Sequence, residues 1–464
     1  MTKPFELRGF SPCESLLRHT PEQLRNFIRR MKKLQMNTLL IHSAYGWNYY
    51  KDLVMEECSK SGIEILLYTL GARSFFSYVE CKPHWFAKDV TGKPFSEKLE
   101  CESYPCRFEE EALEAYEYGA KEWLKSVPAG IKHVHMRGAD GIRFCQCPKC
   151  RVLPEFERWQ PFAERFVKAI QEVRPDLEFG VDAYVKRLYI PENRAPYEKM
   201  SDIMFDTFDR HNEFPIDVSG YDIPRGDLDV IISSGIKEDE KDTNRFIRNR
   251  LKEWAEAFPG KPFIHENAMG QSYFTITQFA TDSYLQDVDF YRRLGLKGIF
   301  WEAFEPGYGN FEEMFELLAK AMMGEEVKRE PTKIELARRE FPDTQFGGDL
   351  SFPLEKYIED PWILKNKLLF RRYRLSPDFD IFREYFEFAW ENEAKLDSLY
   401  IGYALLKNYY SDGIIKFKNL TPEEKDLFSR RKLWDYMEDI QSSCDPRKEC
   451  REMMEKLFRK AERA

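Results

Sequence analysis

Residues 133–150, HVHMRGADGIRFCQCPKC, concentrate side chains able to do chemistry. His133, His135 and Arg137 recur at every second position, so on a strand they share one face while Val134 and Met136 take the other. An Asp-Gly pair follows at Asp140, and then Cys145, Cys147 and Cys150 as C-x-C-x-x-C. A carboxylate at a strand exit can give or take a proton. Three thiols so close together can hold a metal, and imidazoles can serve either purpose.

One carboxylate is not a catalytic machine, so partners must come from elsewhere in the chain. Other apolar runs also end in polar residues: His42, Tyr68, Asp182, Tyr184, Asp206, Asp209, His211, His265, Glu266, Asn267, Trp301, Glu302 and Glu305. Five of the seven histidines (42, 133, 135, 211 and 265) fall in or just after such runs. A polar group buried without a partner costs about 1–3 kcal/mol, so this clustering predicts a polar pocket. We select Asp140, Glu266 and Glu302 as catalytic candidates, and His42, Trp47, His135, Arg137, Asp182, Tyr184, His265, Asn267 and Trp301 as groups that hold substrate.

The elements that must position these residues are repeated strand and helix units. Strand-length apolar runs lie at 37–43, 62–70, 131–138, 177–184, 202–208, 229–235, 262–267 and 297–304. The short RGF at 8–10 is a further candidate, and if it is a strand, 229–235 becomes the extra one. Thr20-Pro21-Glu22-Gln23 is a helix start with a capping box, and amphipathic segments follow at 109–126, 158–173, 241–258 and 276–294. Repeated βα units make parallel strands. No Gly-rich phosphate loop follows the first strand, which favours an α/β fold of the (β/α)8 TIM-barrel type over an open doubly wound sheet. The active site of such a barrel lies at the carboxyl ends of its strands.

The connection at 71–108 is too long for an ordinary turn and carries Phe75, Phe76, Tyr78, His84, Trp85 and Phe86. With the aromatic stretch at 43–50 it offers a wall on which sugar rings could stack. The charged, Pro- and Gly-bearing stretch at 324–352 marks a boundary between a barrel domain at 1–325 and a small helical domain at 350–464. In the latter, Phe382, Tyr385, Phe386 and Ala389 keep helical spacing, and Thr421 to Glu424 form another capping box.

A net charge of −9 without a sustained Lys/Arg block argues against a nucleic-acid partner. The first ten residues lack an apolar signal core, and no window approaches a spanning helix, so the expectation is no membrane association and a cytoplasmic protein. Ten cysteines there read as thiols or metal ligands and not as a disulfide frame. The C-x-C-x-x-C loop is one ligand short of a structural zinc site; Cys101, Cys106 or a histidine could complete it, and we choose Cys101, the alternative being three buried thiols without a metal or a loop held by hydrogen bonds around the sulfurs. Such a zinc would brace the loop, and catalysis would need no cofactor. A homo-oligomer is compatible with the sequence.

Several stretches resemble one group. KPHWFAKDVTGKPF (82–95), CESYP (101–105), ADG with CQCPKC (139–150) and YRRLGLKGIFWEAF (291–304) are similar, in that order, to segments of bacterial glycoside hydrolases of family 163, relatives of the family 20 hexosaminidases. The resemblance spans roughly residues 35–305 and implies a barrel acting on β-linked sugars. Family 20 enzymes carry His-x-Gly-Gly-Asp-Glu at the fourth strand; laid on His135 onward, that pattern puts Asp140 at the acid and Ala139 at the carboxylate that orients a substrate acetamide. Glu266 is the carboxylate we assign, by our own inference, to replace the missing one.

The leading expectation is therefore a glycoside hydrolase on a carbohydrate substrate, with Asp140 as proton donor and Glu266 or Glu302 as nucleophile or base. A metal-dependent hydrolase with strand-end His and Asp ligands is the alternative from another class. A barrel that binds sugar without turnover is the third.

Overall fold

The computed structural model describes residues 3–12, 16–44, 46–69, 71, 73–95, 104–138, 143–184, 187–207, 210, 212, 214–218, 243–266, 280–303, 312–333, 335–336, 354–357, 361, 364–365, 368–369, 372, 379–391, 420–429 and 446–461. Eight strands run in chain order: β1 (Leu7–Pro12), β2 (Thr38–His42), β3 (Glu64–Tyr68), β4 (His133–Met136), β5 (Glu178–Ala183), β6 (Asp202–Asp206), β7 (Pro262–Glu266) and β8 (Gly298–Ala303). Each pairs in parallel with the next, and β1 also pairs with β8, so the sheet closes into a barrel. The RGF stretch is thus the core of β1, with Gly9 opposite Thr38 on one side and Phe300 on the other. The run at 229–235 lies outside the described residues, and the barrel closes without it.

Helices α1 (Pro21–Lys33), α2 (Trp47–Ser61), α3 (Arg73–Phe76), α4 (Glu110–Ser126), α5 (Glu155–Val173), α6 (Ala195–Glu198), α7 (Thr243–Ala257), α8 (Thr281–Arg293) and α9 (Glu312–Met322) follow the strands. The expected capping box starts α1: Gln23 N donates to Thr20 Oγ1 at 3.3 Å, and Thr20 N donates to Gln23 Oε1 at 2.8 Å. Leu24, Phe27, Ile28 and Met31 then form its buried stripe.

Strand alternation splits the apolar core in two. Leu7, Leu40, Leu66, Tyr68, Met204, Phe263 and Phe300 fill the barrel interior. Their neighbours in sequence, such as Leu39, Leu67, Val134, Ile203, Ile264 and Trp301, belong to the larger cluster between strands and helices.

The C-terminal part is helical where described, in α10 (Leu354–Tyr357), α11 (Phe379–Glu391), α12 (Pro422–Ser429) and α13 (Pro446–Ala461). The Thr421 capping box forms, with Thr421 N donating to Glu424 Oε2 at 2.8 Å. Phe386, Cys450, Met454 and Leu457 share one buried apolar cluster with the barrel helices. From α13, the buried Arg447 donates to Leu17 O and to the Tyr50 hydroxyl, each at 2.9 Å. Among the described residues no helix is long and apolar enough to cross a membrane.

Candidate active site

At the carboxyl ends of the strands, side chains from different parts of the chain meet. Arg137, just past β4, donates from Nη2 to Asp206 Oδ2 at the end of β6, 3.0 Å away. The same oxygen lies 2.9 Å from His265 Nδ1 on β7. Arg137 Nη1 reaches the Tyr68 hydroxyl at 3.4 Å, and its guanidinium lies over the rings of Tyr68 and Tyr184, 5.3 and 5.1 Å from their centroids. His42 at the end of β2 packs on Tyr68, with ring centroids 3.9 Å apart.

Glu302 on β8 shares the inward face with Phe300 and stands opposite Ser11 of β1. Burial pushes the Tyr68 phenol above its ordinary value; Arg137 opposes this, Glu302 adds to it, and a hydrogen bond with Ser11 opposes it. Tyr68 is therefore a neutral hydroxyl in the working pH range. His265 Nε2 is buried without a hydrogen-bond partner among the described residues, although the ring's other nitrogen is engaged. A buried imidazole nitrogen left this way is available to a ligand hydroxyl.

Asp182 supports this mouth and is not free to react. Arg187 grips it with Nε to Oδ1 at 3.1 Å and Nη2 to Oδ2 at 2.8 Å, and Gly138 N donates to Oδ2 at 3.2 Å. A side chain at position 138 would push Arg187 off Asp182, because its Cβ would lie 2.4 Å from the Arg187 guanidinium. Glycine there lets the chain leaving β4 pass over the ion pair.

Four expected site residues lie elsewhere. Glu266 faces out of the barrel wall, where it accepts from Arg210 Nε at 3.0 Å and from the Tyr291 hydroxyl on α8 at 2.9 Å. Burial alone would lower the Arg210 pKa, but Asp287 and Glu266 outweigh it and hold Arg210 charged. Trp301 also faces outward: its Nε1 lies 3.1 Å from Met322 Sδ, and its ring meets Tyr284. Trp47 is the first residue of α2 and is buried in the cluster between strands and helices. Of the aromatics in the 71–108 connection, Phe75, Phe76, Trp85 and Phe86 are core, for Phe75 packs on Tyr116 and Phe166, and Phe76 on Tyr116 and Trp85, whereas Tyr78 and His84 are exposed.

The fourth is His135, which lies deep in the barrel. With His133 it meets Asp202, the first residue of β6, so this cluster belongs to the amino-terminal floor. Its ligand atoms lie close enough to hold a metal ion. However, Lys297 Nζ already sits 3.1 Å from Asp202 Oδ2. Burial alone would raise the Asp202 pKa, but His133 and His135 outweigh it and hold the carboxyl well below its usual range. Burial likewise opposes the Lys297 charge, and Asp202 overcomes it. The cluster is an internal ion pair, sealed from substrate. Gly180 makes room for it, since a Cβ there would fall 2.5 Å from His135 Nε2.

Asp140, Asn267, Cys101, Asp209, His211 and Glu305 lie outside the described residues. The other three cysteines converge with a fourth: Cys106, Cys145, Cys147 and Cys150 bring their sulfurs within 4.8 Å of one another. Among the described residues the sulfur that stands beside C-x-C-x-x-C is therefore Cys106; the Cys101 we chose lies outside them. Ser11, Arg187 and Arg210 were not legible as site or support residues. Their signal, a lone polar residue in or after a short apolar run, is too weak to stand out.

No protein-family model matches this sequence, and no curated protein does. Solved structures that are similar include one described as a glycoside hydrolase, at 12% identity and TM-score 0.36, over 64% of this chain and 61% of that one. The endo-β-1,4-mannanase of Thermotoga petrophila matches at 11% identity and TM-score 0.40, over 70% of this chain and 79% of that one. The β-glucosidase of Thermotoga maritima with castanospermine matches at 12% identity and TM-score 0.36, over 65% and 88% respectively. The chain thus spans about three-fifths of the first of these. Likeness at this level says nothing about the chemistry of the mouth.

Proposed function

We propose that the protein is a glycoside hydrolase acting on a β-linked sugar or oligosaccharide. The observation that carries this reading is the mouth itself, where Glu302, Tyr68, Arg137, Asp206 and His265 come together from five strands. Such a mixture of donors and acceptors suits a ring bearing several hydroxyls. The aromatic faces of Tyr68 and Tyr184 carry Arg137 and so give the mouth its shape.

In the chemistry we assign, Asp140, two residues beyond Gly138, protonates the leaving oxygen. Glu302 faces the developing positive charge of the sugar as nucleophile or base. Asp206 is bound on one oxygen by a guanidinium and an imidazole, so its task is to orient Arg137 and His265. A metal or organic cofactor has no part in this scheme.

The finer reading, hexosaminidase-like action on an N-acetyl sugar, lacks a described carboxylate to orient the acetamide, because Ala139 has none and Glu266 is turned toward α8. Direct use of two carboxylates therefore fits better than substrate assistance. The metal-dependent alternative is less favoured, since His133 and His135, the paired histidines that suggested it, sit on the floor beside a lysine.

The test is a panel of chromogenic β-glycosides with wild type, Asp140→Asn and Glu302→Gln. Wild type should turn over at least one member, with each variant slower by about 10²–10⁴-fold. Wild type that binds sugars but cleaves none would overturn hydrolysis and leave a binding barrel. Full activity in Glu302→Gln would overturn the assigned roles.

A further inference from the structure

We propose that Cys106, Cys145, Cys147 and Cys150 bind one zinc ion, which ties the segment following β3 to the loop following β4 and braces the rim beside Arg137. The inference stands apart from the sugar-cleavage reading.

The geometry is that of a tetrathiolate site. All four sulfurs lie within 4.8 Å of one another; Cys106 Sγ is 3.8 Å from Cys147 Sγ and 3.6 Å from Cys150 Sγ. Four thiolates about 2.3 Å from a tetrahedral zinc stand about 3.8 Å apart along each edge. A disulfide would need about 2.0 Å, and a pair accounts for only two sulfurs. An iron–sulfur cluster would hold its four cysteines further apart, because the inorganic core lies between them.

The backbone presents the sulfurs from two sides. A tight turn, with Cys150 N donating to Cys147 O at 2.9 Å and Arg151 N to the same oxygen at 3.0 Å, puts Cys147 and Cys150 together. Across from it, Cys106 N donates to Trp85 O at 2.8 Å and Ala87 N to Tyr104 O at 2.9 Å, which fixes Cys106 on the segment following β3. The two sides are joined by Gln146 N to Lys88 O at 2.7 Å, and Lys88 N donates to Cys145 Sγ at 3.4 Å. An N–H to a bound sulfur is the outer-shell contact that thiolate sites use.

Charge and burial agree. Cys106, Cys145 and Cys150 are buried, and Ala87 packs with them in a small cluster of their own. Zinc with four thiolates carries a net charge of about −2, and the buried Arg158 donates from Nη1 to Cys145 O at 3.4 Å. With four protein ligands the site is closed, so its work is to hold structure. Cys145 begins soon after the segment that carries Asp140.

Elemental analysis of the full chain, purified without chelator and refilled with zinc, should give one tightly held zinc per chain, released when a mercurial titrates the thiols. Cys106→Ser should lose it, while Cys58→Ser, a buried thiol on α2, should keep it. Because Cys106→Ser could fail to fold, the second measurement uses wild type refilled with cobalt. Thiolate-to-cobalt charge transfer and strong visible bands of a tetrahedral sulfur site are expected. Wild type that retains no zinc after refilling, stoichiometric zinc in a folded Cys106→Ser, iron in place of zinc, or an octahedral cobalt spectrum would each overturn the proposal.

Discussion

His265 and Glu266 are neighbours on β7 and look to opposite sides of the barrel wall. His265 Nδ1 lies 2.9 Å from Asp206 Oδ2 in the mouth, whereas Glu266 is bound outside by Arg210 Nε at 3.0 Å and the Tyr291 hydroxyl at 2.9 Å. One step along the chain thus separates a ligand-facing group from a structural one. Glu266→Gln should lower stability by about 3 kcal/mol, because it leaves the buried Arg210 charge with less compensation. Turnover of any glycoside cleaved by wild type should stay within a few-fold. Urea unfolding beside steady-state kinetics checks both; a fully stable but inactive variant would return Glu266 to the reaction.

That pair also shows how far sequence reaches. Alternation in HVHMR puts His133, His135 and Arg137 on the barrel axis, and the structure agrees. It says nothing of depth: Arg137 reaches the mouth, while both histidines stay on the floor with Asp202. In PFIHE and GIFWEA the pattern fails differently, since two polar or two aromatic residues stand side by side and either could face inward. Only the closed register, with Glu266 opposite Trp301 and both beneath α8, decides it. The barrel itself was readable because βα repetition is a local signal. The Cys106 partnership was readable only as one of three candidates, since it joins residues about forty positions apart and no spacing encodes which of them meets the loop.

Arg137 tests the mouth from another side. Its planar guanidinium bonds Asp206 and Tyr68 while covering two aromatic rings. Lysine would keep the charge and lose both the fork and the stacking. Arg137→Lys should therefore cut kcat/KM at least about tenfold, with fluorescence-detected sugar affinity falling in parallel. Unchanged kinetics would show that this arginine only supports the wall.

The helices behind β4 depend on one carboxylate. Glu117 on α4 bonds Lys121 at 2.8 Å, and from α5 it takes Lys168 at 2.8 Å and Arg165 at 2.9 Å. Burial pushes its pKa up, but these three cations outweigh burial and hold it at about 2. The folded value is below the unfolded value of about 4.3, so the stabilisation is fully present above that value and is lost as pH falls toward 2. A shift of this size would be worth about 3 kcal/mol at full strength. The exposure of Lys168 and screening by salt reduce it to about 1–2 kcal/mol. Glu117→Gln should accordingly be less stable than wild type by that amount at pH 6–7, a range chosen well above both values, and the two unfolding midpoints should converge as the medium is acidified. Added salt should narrow the gap at neutral pH, because the variant leaves three like charges facing one another. A gap independent of pH would mean that the glutamate acts through packing alone.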